Sequence, residues 1–175
     1  MPTMEILLTA EQIQERVDEM ASQISADYRG RSPLTIVGVL TGSLMFLADL
    51  VRRLDQPLRI GLIQASSYHG ATTSPGSLRI APDLAPDVRD RHVLVLDDIL
   101  DTGQTLQHVL AHLHHLGTTS VRVAVLLRKQ GRQTTAFEPD YCGFTIPNAF
   151  VVGYGLDYDD EFRHLPYVAK LVTSG

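Results

Sequence analysis

The segment Val93–Thr105 constrains the fold of this chain more than any other part of its sequence. An apolar run ends in Asp97 and Asp98, and two apolar residues, Asp101, a small-residue turn and a helical pattern follow. Such a run is typical of a strand buried on both faces of a parallel sheet, whose ligands bind beyond the carboxyl ends of the strands. We therefore expect carboxylates to lie beside a turn rich in N–H donors. That combination suits a ligand that carries both hydroxyls and a phosphate.

A purely structural interpretation of this segment is weaker. Asp101 or Thr102 could cap the following helix, with the acidic pair only solvated at the surface. Capping would account for one carboxylate and leave the others unexplained.

Strands and helices alternate along the chain. Thr9 and Gln12 have the form of a capping box, and the helix that they begin keeps its apolar spacing until Gly30. The patterns further predict helices over 44–54 and 105–116 and strands over 34–40, 58–65, 77–81, 93–96, 121–127, 141–146 and 150–152. This alternation predicts an α/β fold with a central, mainly parallel sheet flanked by helices.

Residues 69–90 lack this order and are rich in Gly, Ser, Thr, Pro and Asp. A structureless stretch of this length in a compact domain is usually a functional lid or a disordered segment. Repeats and linkers are not visible elsewhere, so residues 1–175 are expected to form one domain.

Composition excludes several classes of function. The net charge of −5, without a run of Lys or Arg, argues against nucleic acid as a partner. Long apolar stretches and the pattern of a signal peptide are both missing from the sequence, so no membrane association is expected. Cys142 is the only cysteine, which fits a reducing cytoplasm and a structural rather than a catalytic thiol.

Val93–Thr105 resembles the phosphoribosyl-pyrophosphate (PRPP) binding motif of type I phosphoribosyltransferases. Over about residues 5–172 the chain resembles the hypoxanthine-guanine phosphoribosyltransferases in particular. The motifs that carry this resemblance, in order, are Val39–Ser43 with Phe46 and Asp49, Ser66–Tyr68, Gly143–Pro147 and Phe150–Tyr158.

The resemblance implies the type I phosphoribosyltransferase fold, with a small hood formed by the N-terminal and C-terminal segments and a mobile active-site loop over about 69–90. It implies a Mg²⁺-dependent enzyme of purine salvage that transfers 5-phosphoribosyl from PRPP to N9 of a 6-oxopurine. Hypoxanthine would give IMP, and guanine would give GMP, each with pyrophosphate. A homodimer or homotetramer is implied, and the apolar helix over 44–54 is our expected interface.

The resemblance also assigns site residues. Asp97 and Asp98 hold the ribose hydroxyls, partly through Mg²⁺, and Asp101 exchanges a proton with purine N7. The 5′-phosphate is held by Thr102, Gly103, Gln104 and Thr105. Pyrophosphate is bound by Thr41, Gly42, Ser67, Tyr68 and Arg163. The purine is bound by Lys129, Phe150, Val151 and Asp157, of which Asp157 also binds a second Mg²⁺.

Three positions depart from the family pattern. Thr41 stands where Lys is common, Asp97 where Glu is frequent and Gln104 where Lys or Asn occurs. The resemblance implies a cis peptide between Leu40 and Thr41.

Each assignment has a simpler alternative. Phe150 could belong to the core, Lys129 could be a solvated charge, Asp157 could be a surface turn residue, and Arg163 could pair with neighbouring carboxylates. His108, His112 and His115 share one helical face, which is expected to face solvent rather than to hold a metal. The whole chain could also be a PRPP-sensing regulator without turnover, and the preference among hypoxanthine, guanine and xanthine stays open.

Overall fold

The structure, a computed structural model, describes residues 3–67, 78–80 and 87–172. Its helices are α1 (Ala10–Asp27), α2 (Leu44–Val51) and α3 (Gln104–His115). Its strands are β1 (Thr3–Leu8), β2 (Leu34–Leu40), β3 (Arg59–Ser67), β4 (Leu78–Ile80), β5 (His92–Leu100), β6 (Ser120–Lys129), β7 (Tyr141–Ile146), β8 (Val151–Val152) and β9 (Val168–Val172). None of the described helices has the length and apolar character needed to span a membrane.

The strands form two sheets. The larger has the order β4-β3-β2-β5-β6-β7, in which β3, β2, β5, β6 and β7 are parallel and β4 is antiparallel to β3. The smaller sheet has the order β1-β9-β8 and is antiparallel. The α/β fold class with a central, mainly parallel sheet is confirmed.

Helices cover both faces of the larger sheet, which explains why β5 is apolar throughout. Leu94 and Leu96 pack in a cluster with residues of α1 and α2, while Val93 and Val95 pack in a second cluster with residues of α3. Alternate side chains of a strand point to opposite faces, so a strand with two covered faces needs apolar residues at every position. Each such fully buried side chain contributes about 1.5–3 kcal/mol to folding.

The start of α1 confirms the capping box. The backbone N–H of Gln12 donates to Thr9 Oγ1 at 3.2 Å, and the backbone N–H of Thr9 donates to Gln12 Oε1 at 2.9 Å. The predictions for β2 and β7 have the observed bounds, and β4 falls within the stretch predicted for it. Helix α2 ends at Val51, three residues earlier than predicted.

The bounds of β5 correct the prediction for the acidic pair. The strand does not end at Leu96 but continues to Leu100, so Asp97 and Asp98 lie within it. Pairing with β2 stops at Leu96, whereas pairing with β6 continues to Leu100. The carboxylates therefore lie where β5 has lost one of its two neighbours and still follows the other.

Two expectations about helix surfaces are only partly met. Of the histidines, His108 and His115 are exposed, but His112 is half-buried and its Nε2 has no hydrogen-bond partner among the described residues. In α2, the helix expected to form an interface, Phe46 and Leu47 are buried within the chain, whereas Met45 is exposed.

Candidate active site

A cavity of about 340 Å³ lies at the carboxyl ends of β2 and β5. Its walls come from the β2–α2 loop, the end of β5, the β5–α3 turn and the segment after β8. The predicted site residues that line it are Thr41, Gly42, Asp97, Asp98, Asp101, Thr102, Gly103, Thr105, Asp157 and Arg163. The structure thus brings together most of the residues assigned to PRPP.

Each carboxylate of the acidic pair accepts a hydrogen bond from the backbone N–H of the next residue. The backbone N–H of Asp98 donates to Asp97 Oδ1 at 2.9 Å, and the backbone N–H of Ile99 donates to Asp98 Oδ1 at 2.7 Å. Burial, together with repulsion from Asp98, raises the pKa of Asp97 well above its ordinary value. Burial also raises the pKa of Asp98. Two adjacent carboxyls in this state favour a cation or hydroxyl donors as a ligand.

Gly42 allows the β2–α2 loop to approach this pair. A Cβ added at Gly42 would lie 1.9 Å from Asp98 Oδ2, and a Cβ added at Gly155 would lie 2.1 Å from the carbonyl oxygen of Gly42. The loop is therefore packed between the carboxylate and the segment after β8. The Leu40–Thr41 peptide that leads into it is cis, as the resemblance implied, and Thr41 is exposed.

The turn before α3 presents unused N–H donors to the cavity. Gly103 is the N-cap residue with φ 91°, and within the described part of the chain no side chain makes a capping hydrogen bond there. The Gln104 N–H donates to Thr102 Oγ1 at 3.4 Å. Among the described residues the capping alternative is therefore met only by this long contact of Thr102 and not by a carboxylate. The free N–H groups and the helix dipole favour an anion at this turn.

Asp101 has an electrostatic environment unlike that of the acidic pair. Lys129 Nζ donates to its Oδ2 at 3.2 Å, and Arg132 Nε donates to its Oδ1 at 2.8 Å. Burial by itself raises the pKa of Asp101, but the hydrogen bonds and charges of Arg132 and Lys129 together hold that pKa below its ordinary value. Asp101 is thus an ionised carboxylate that can accept a proton, and Lys129 is not merely a solvated charge.

Of the residues assigned to the purine, Asp157 lines the cavity, whereas Lys129, Phe150 and Val151 do not. Phe150 is 53% exposed and is therefore not a core residue. Its ring meets that of Tyr158 edge to face, with centroids 5.7 Å apart and planes at 88°. Val151 is buried and pairs with Lys170 of β9. An exposed aromatic ring that is packed against Tyr158 offers a face on which a flat heterocycle can stack.

Asp157 and Arg163 pair on the opposite side of the cavity. Arg163 Nη2 lies 3.1 Å from Asp157 Oδ1 and 3.0 Å from Asp160 Oδ1, while Arg163 Nη1 donates to the Gly155 carbonyl oxygen at 2.8 Å. The alternative in which Arg163 pairs with neighbouring carboxylates is thus realised. Both side chains nonetheless line the cavity.

Two of the residues assigned to pyrophosphate lie at or beyond the limit of the described residues. Tyr68, like most of the predicted loop over 69–90, lies outside the described residues, and the side chain of Ser67 does too. Within the described ranges, no three His, Cys, Asp or Glu side chains converge as a group that could hold a metal ion. Gln104 is exposed on the first turn of α3.

Sequence reasoning missed the segment after β6. Besides Arg132, Gln133 contributes an amide Nε2 that donates to the carbonyl oxygens of Asp101 and Lys129, at 3.1 and 2.7 Å. The Thr134 N–H donates to the carbonyl oxygen of Thr102 at 3.0 Å. No motif marks these residues, because their contacts with Asp101 and Thr102 join positions about thirty apart along the chain.

Comparison with known proteins adds independent evidence. Residues 4–159 match the family model of the phosphoribosyl transferase domain. The hypoxanthine-guanine phosphoribosyltransferase of Streptococcus pneumoniae strain R6 is 42% identical over 166 residues, which cover 95% of this chain and 92% of that protein.

Solved structures agree. A hypoxanthine phosphoribosyltransferase from Staphylococcus aureus superposes with a TM-score of 0.89 at 43% identity, covering 96% of this chain and 91% of the other. A Trypanosoma cruzi hypoxanthine phosphoribosyl transferase, solved to study how its C-terminal region affects oligomeric state and enzymatic activity, gives 0.89 at 40% identity, covering 96% and 91%.

Proposed function

This chain belongs to the phosphoribosyl transferase domain family, and on that premise we propose that it is a hypoxanthine phosphoribosyltransferase of purine salvage. It transfers the 5-phosphoribosyl group of PRPP to N9 of hypoxanthine, giving IMP and pyrophosphate. Guanine is the second substrate of the proposal and gives GMP.

One observation carries the proposal. A single cavity joins the buried Asp97 and the half-buried Asp98 to an uncapped helix start and to an ionised carboxylate, Asp101, beside Lys129. The first two features suit a ribose phosphate, and the third suits a base that must lose a proton. The extent of the similarity to hypoxanthine phosphoribosyltransferases supports the same conclusion.

Each part of PRPP has a counterpart in the cavity. The ribose hydroxyls donate to Asp97 and Asp98, and the 5′-phosphate lies in the turn from Thr102 to Thr105 against the start of α3. Arg163 leaves its carboxylate partners to bind pyrophosphate. The other pyrophosphate ligands of the proposal are Thr41, Gly42, Ser67 and Tyr68.

Mg²⁺ fits the acidic pair. Asp98 Oδ2 faces the space that a Cβ at Gly42 would fill, and the two adjacent carboxylates supply oxygen ligands of the kind that Mg²⁺ prefers. Mg²⁺ is usually bound by one or two carboxylates together with substrate phosphates and water, so a preformed group of three protein ligands is not needed. When bound, it neutralises charge on pyrophosphate, and Asp157 is the proposed ligand of a second ion.

Asp101 handles the proton. N9 of the purine forms a bond to C1′ as the bond from C1′ to the pyrophosphate oxygen breaks, and pyrophosphate leaves with that electron pair. The sugar carbon gains oxocarbenium character, as in glycoside cleavage. The N7 proton passes to the Asp101 carboxylate, which prevents positive charge from accumulating on the base.

The purine is oriented by three residues. Phe150 stacks on the ring, the backbone of Val151 contacts its edge, and Lys129 donates to the exocyclic oxygen at C6. A 6-amino group cannot accept from an ammonium, so this contact selects 6-oxopurines.

We also propose how the chain is organised into a domain and an oligomer. Residues 1–175 form one domain, whose hood is the β1-β9-β8 sheet and whose active-site loop covers the cavity during the reaction. The enzyme is cytoplasmic and acts as a homodimer or homotetramer. The structure of the Trypanosoma cruzi relative was solved to study its oligomeric state, so the number of subunits is a property to measure for this chain too.

The test is turnover of hypoxanthine, PRPP and Mg²⁺, followed by absorbance, with wild type and Asp101→Asn. Removing a positioned general base costs about 10²–10⁴ in rate, so we expect kcat to fall at least about tenfold while PRPP still binds. Near-wild-type turnover of Asp101→Asn would remove Asp101 from proton transfer. A wild type that binds PRPP without turnover would be a sensor and not an enzyme.

A further inference from the structure

The two oxygens of the Asp101 carboxylate have different partners. Oδ1 accepts from Arg132 Nε at 2.8 Å, and Oδ2 accepts from Lys129 Nζ at 3.2 Å. In the proposed function Lys129 donates to the purine oxygen. Once it does so, Oδ2 becomes free to accept the N7 proton, and Arg132 is the partner that remains.

Arg132 is held in register with the loop that carries Asp101. Its neighbour Gln133 bridges the carbonyl oxygens of Asp101 and Lys129, and the Thr134 N–H donates to the Thr102 carbonyl oxygen. These hydrogen bonds tie the segment to the β5–α3 turn. Arg132 Nε makes one charge-assisted hydrogen bond to Oδ1, which restricts rotation of the Asp101 carboxylate.

We propose that Arg132 is a positioning residue for the phosphoribosyl transfer: by holding Oδ1 of Asp101, it orients Oδ2 toward purine N7 when Lys129 turns to the base. This inference rests on the proposed function. It assigns Arg132 a role without direct contact to either substrate.

Because charged side chains surround Asp101, the proposal predicts a change in how activity depends on pH. The charged side chains that contact it in the described part of the chain are Lys129 and Arg132. With Lys129 engaged by the purine, loss of Arg132 removes the remaining cation and raises the pKa of Asp101. Since Asp101 must be ionised to accept a proton, activity is then lost at a higher pH on the acid side.

The experiment compares Arg132→Gln and Arg132→Lys with Arg128→Gln as the matched control. Arg128 also pairs with a carboxylate, that of Glu138 at 2.7 Å, but does not line the cavity. Ion pairs as exposed as that of Arg132 (45%) with Asp101 (38%) contribute little to stability. The variants are therefore expected to fold, and thermal unfolding checks that they do. For each, kcat, the KM for PRPP and the pH profile of kcat are measured.

We expect Arg132→Gln to lower kcat by on the order of 10-fold to 100-fold, the size of effect that a misplaced catalytic group produces. The KM for PRPP changes less than about twofold, because the ribose-phosphate contacts are untouched. The acid limb of its pH profile moves to higher pH. Arg132→Lys recovers part of kcat, and Arg128→Gln matches wild type.

Two results would overturn the role of Arg132. One is a wild-type kcat and pH profile for Arg132→Gln. The other is an equal loss in Arg132→Gln and Arg132→Lys with an unmoved acid limb, which is the mark of a merely structural residue. Failure of the proposed function itself is distinct, since the wild type would then show no turnover at all.

Discussion

The contact between Gly155 and Gly42 offers a sharp test of how the β2–α2 loop is held in place. Gly155 has φ +97°, and a Cβ at this position would lie 2.1 Å from the Gly42 carbonyl oxygen. The segment cannot simply move away. The buried Tyr154 donates to Asp49 Oδ2 at 2.5 Å, and the Gly155 N–H donates to the Arg163 carbonyl oxygen at 2.9 Å. Gly155→Ala should therefore displace the loop and destabilise the protein.

The expected loss of folding free energy in Gly155→Ala has two parts. A positive φ costs a residue with a Cβ about 1–2 kcal/mol, and overpacking against fixed neighbours costs about 1–3 kcal/mol more. Gly30→Ala is the matched control, because Gly30 has φ +79° and a Cβ there would have nothing within 4 Å. The gain from restricting the unfolded chain is common to both variants and cancels. The difference between them, about 1–3 kcal/mol, measures the contact.

The assay is denaturant unfolding of both variants, supported by thermal melts. For a chain of this size about 1 kcal/mol corresponds to about 2–4 °C in Tm, so Gly155→Ala should melt several degrees below Gly30→Ala. Because the displaced loop carries Thr41 and Gly42, the KM for PRPP should also rise in Gly155→Ala alone. Equal free energies of unfolding, with equal KM values, would refute the reasoning.

Two other predictions concern the acidic pair and the purine platform. Asp97→Asn should raise the free energy of unfolding of the ligand-free protein by about 0.5–2 kcal/mol while abolishing PRPP-dependent stabilisation. The folded pKa of Asp97 is above its unfolded value, so the advantage of Asn should be full above the folded pKa and shrink as pH falls through it; an advantage that grows toward acid pH would contradict this. Phe150→Leu should raise the KM for hypoxanthine about 5-fold to 100-fold, since base stacking on an aromatic ring is worth about 1–3 kcal/mol; an unchanged KM would exclude stacking.

Local patterns predicted the elements that hold the cavity. The capping box of α1 and the unbroken apolar run of β5 depend on neighbouring residues and on burial on two faces, so they can be found in the sequence itself. The strands β1 and β9 were missed, because neither is long or strongly alternating. What makes them strands is their mutual pairing, as at Glu5 and Lys170, between opposite ends of the chain.

The site was predicted where its residues follow one another in a motif, and missed where they come from elsewhere. The carboxylates from Asp97 to Asp101 share one strand and turn, so their proximity was certain once the strand was recognised. Arg132 and Gln133 reach Asp101 only because β6 runs parallel to β5 and returns the chain to the same edge of the sheet. An Arg close to Lys129 in sequence carries no sign of that contact.

The pKa values of Asp97 and Asp98 are raised and that of Asp101 is lowered, and the cause of this difference does not lie in the motif alone. Asp97 is buried and Asp98 lies half-buried beside it, and burial raises the pKa of both carboxyls, so their charge is costly until a cation or hydroxyl donors bind. Asp101 has two cationic partners and is ionised before any substrate binds. One stretch of chain thus holds two carboxyls whose ionisation is opposed by burial and one carboxylate whose ionisation is favoured by two cationic partners. Lys129 at the end of β6 and Arg132 in the segment after it lower the pKa of Asp101, so a variant that removes both should bring that pKa closer to those of Asp97 and Asp98.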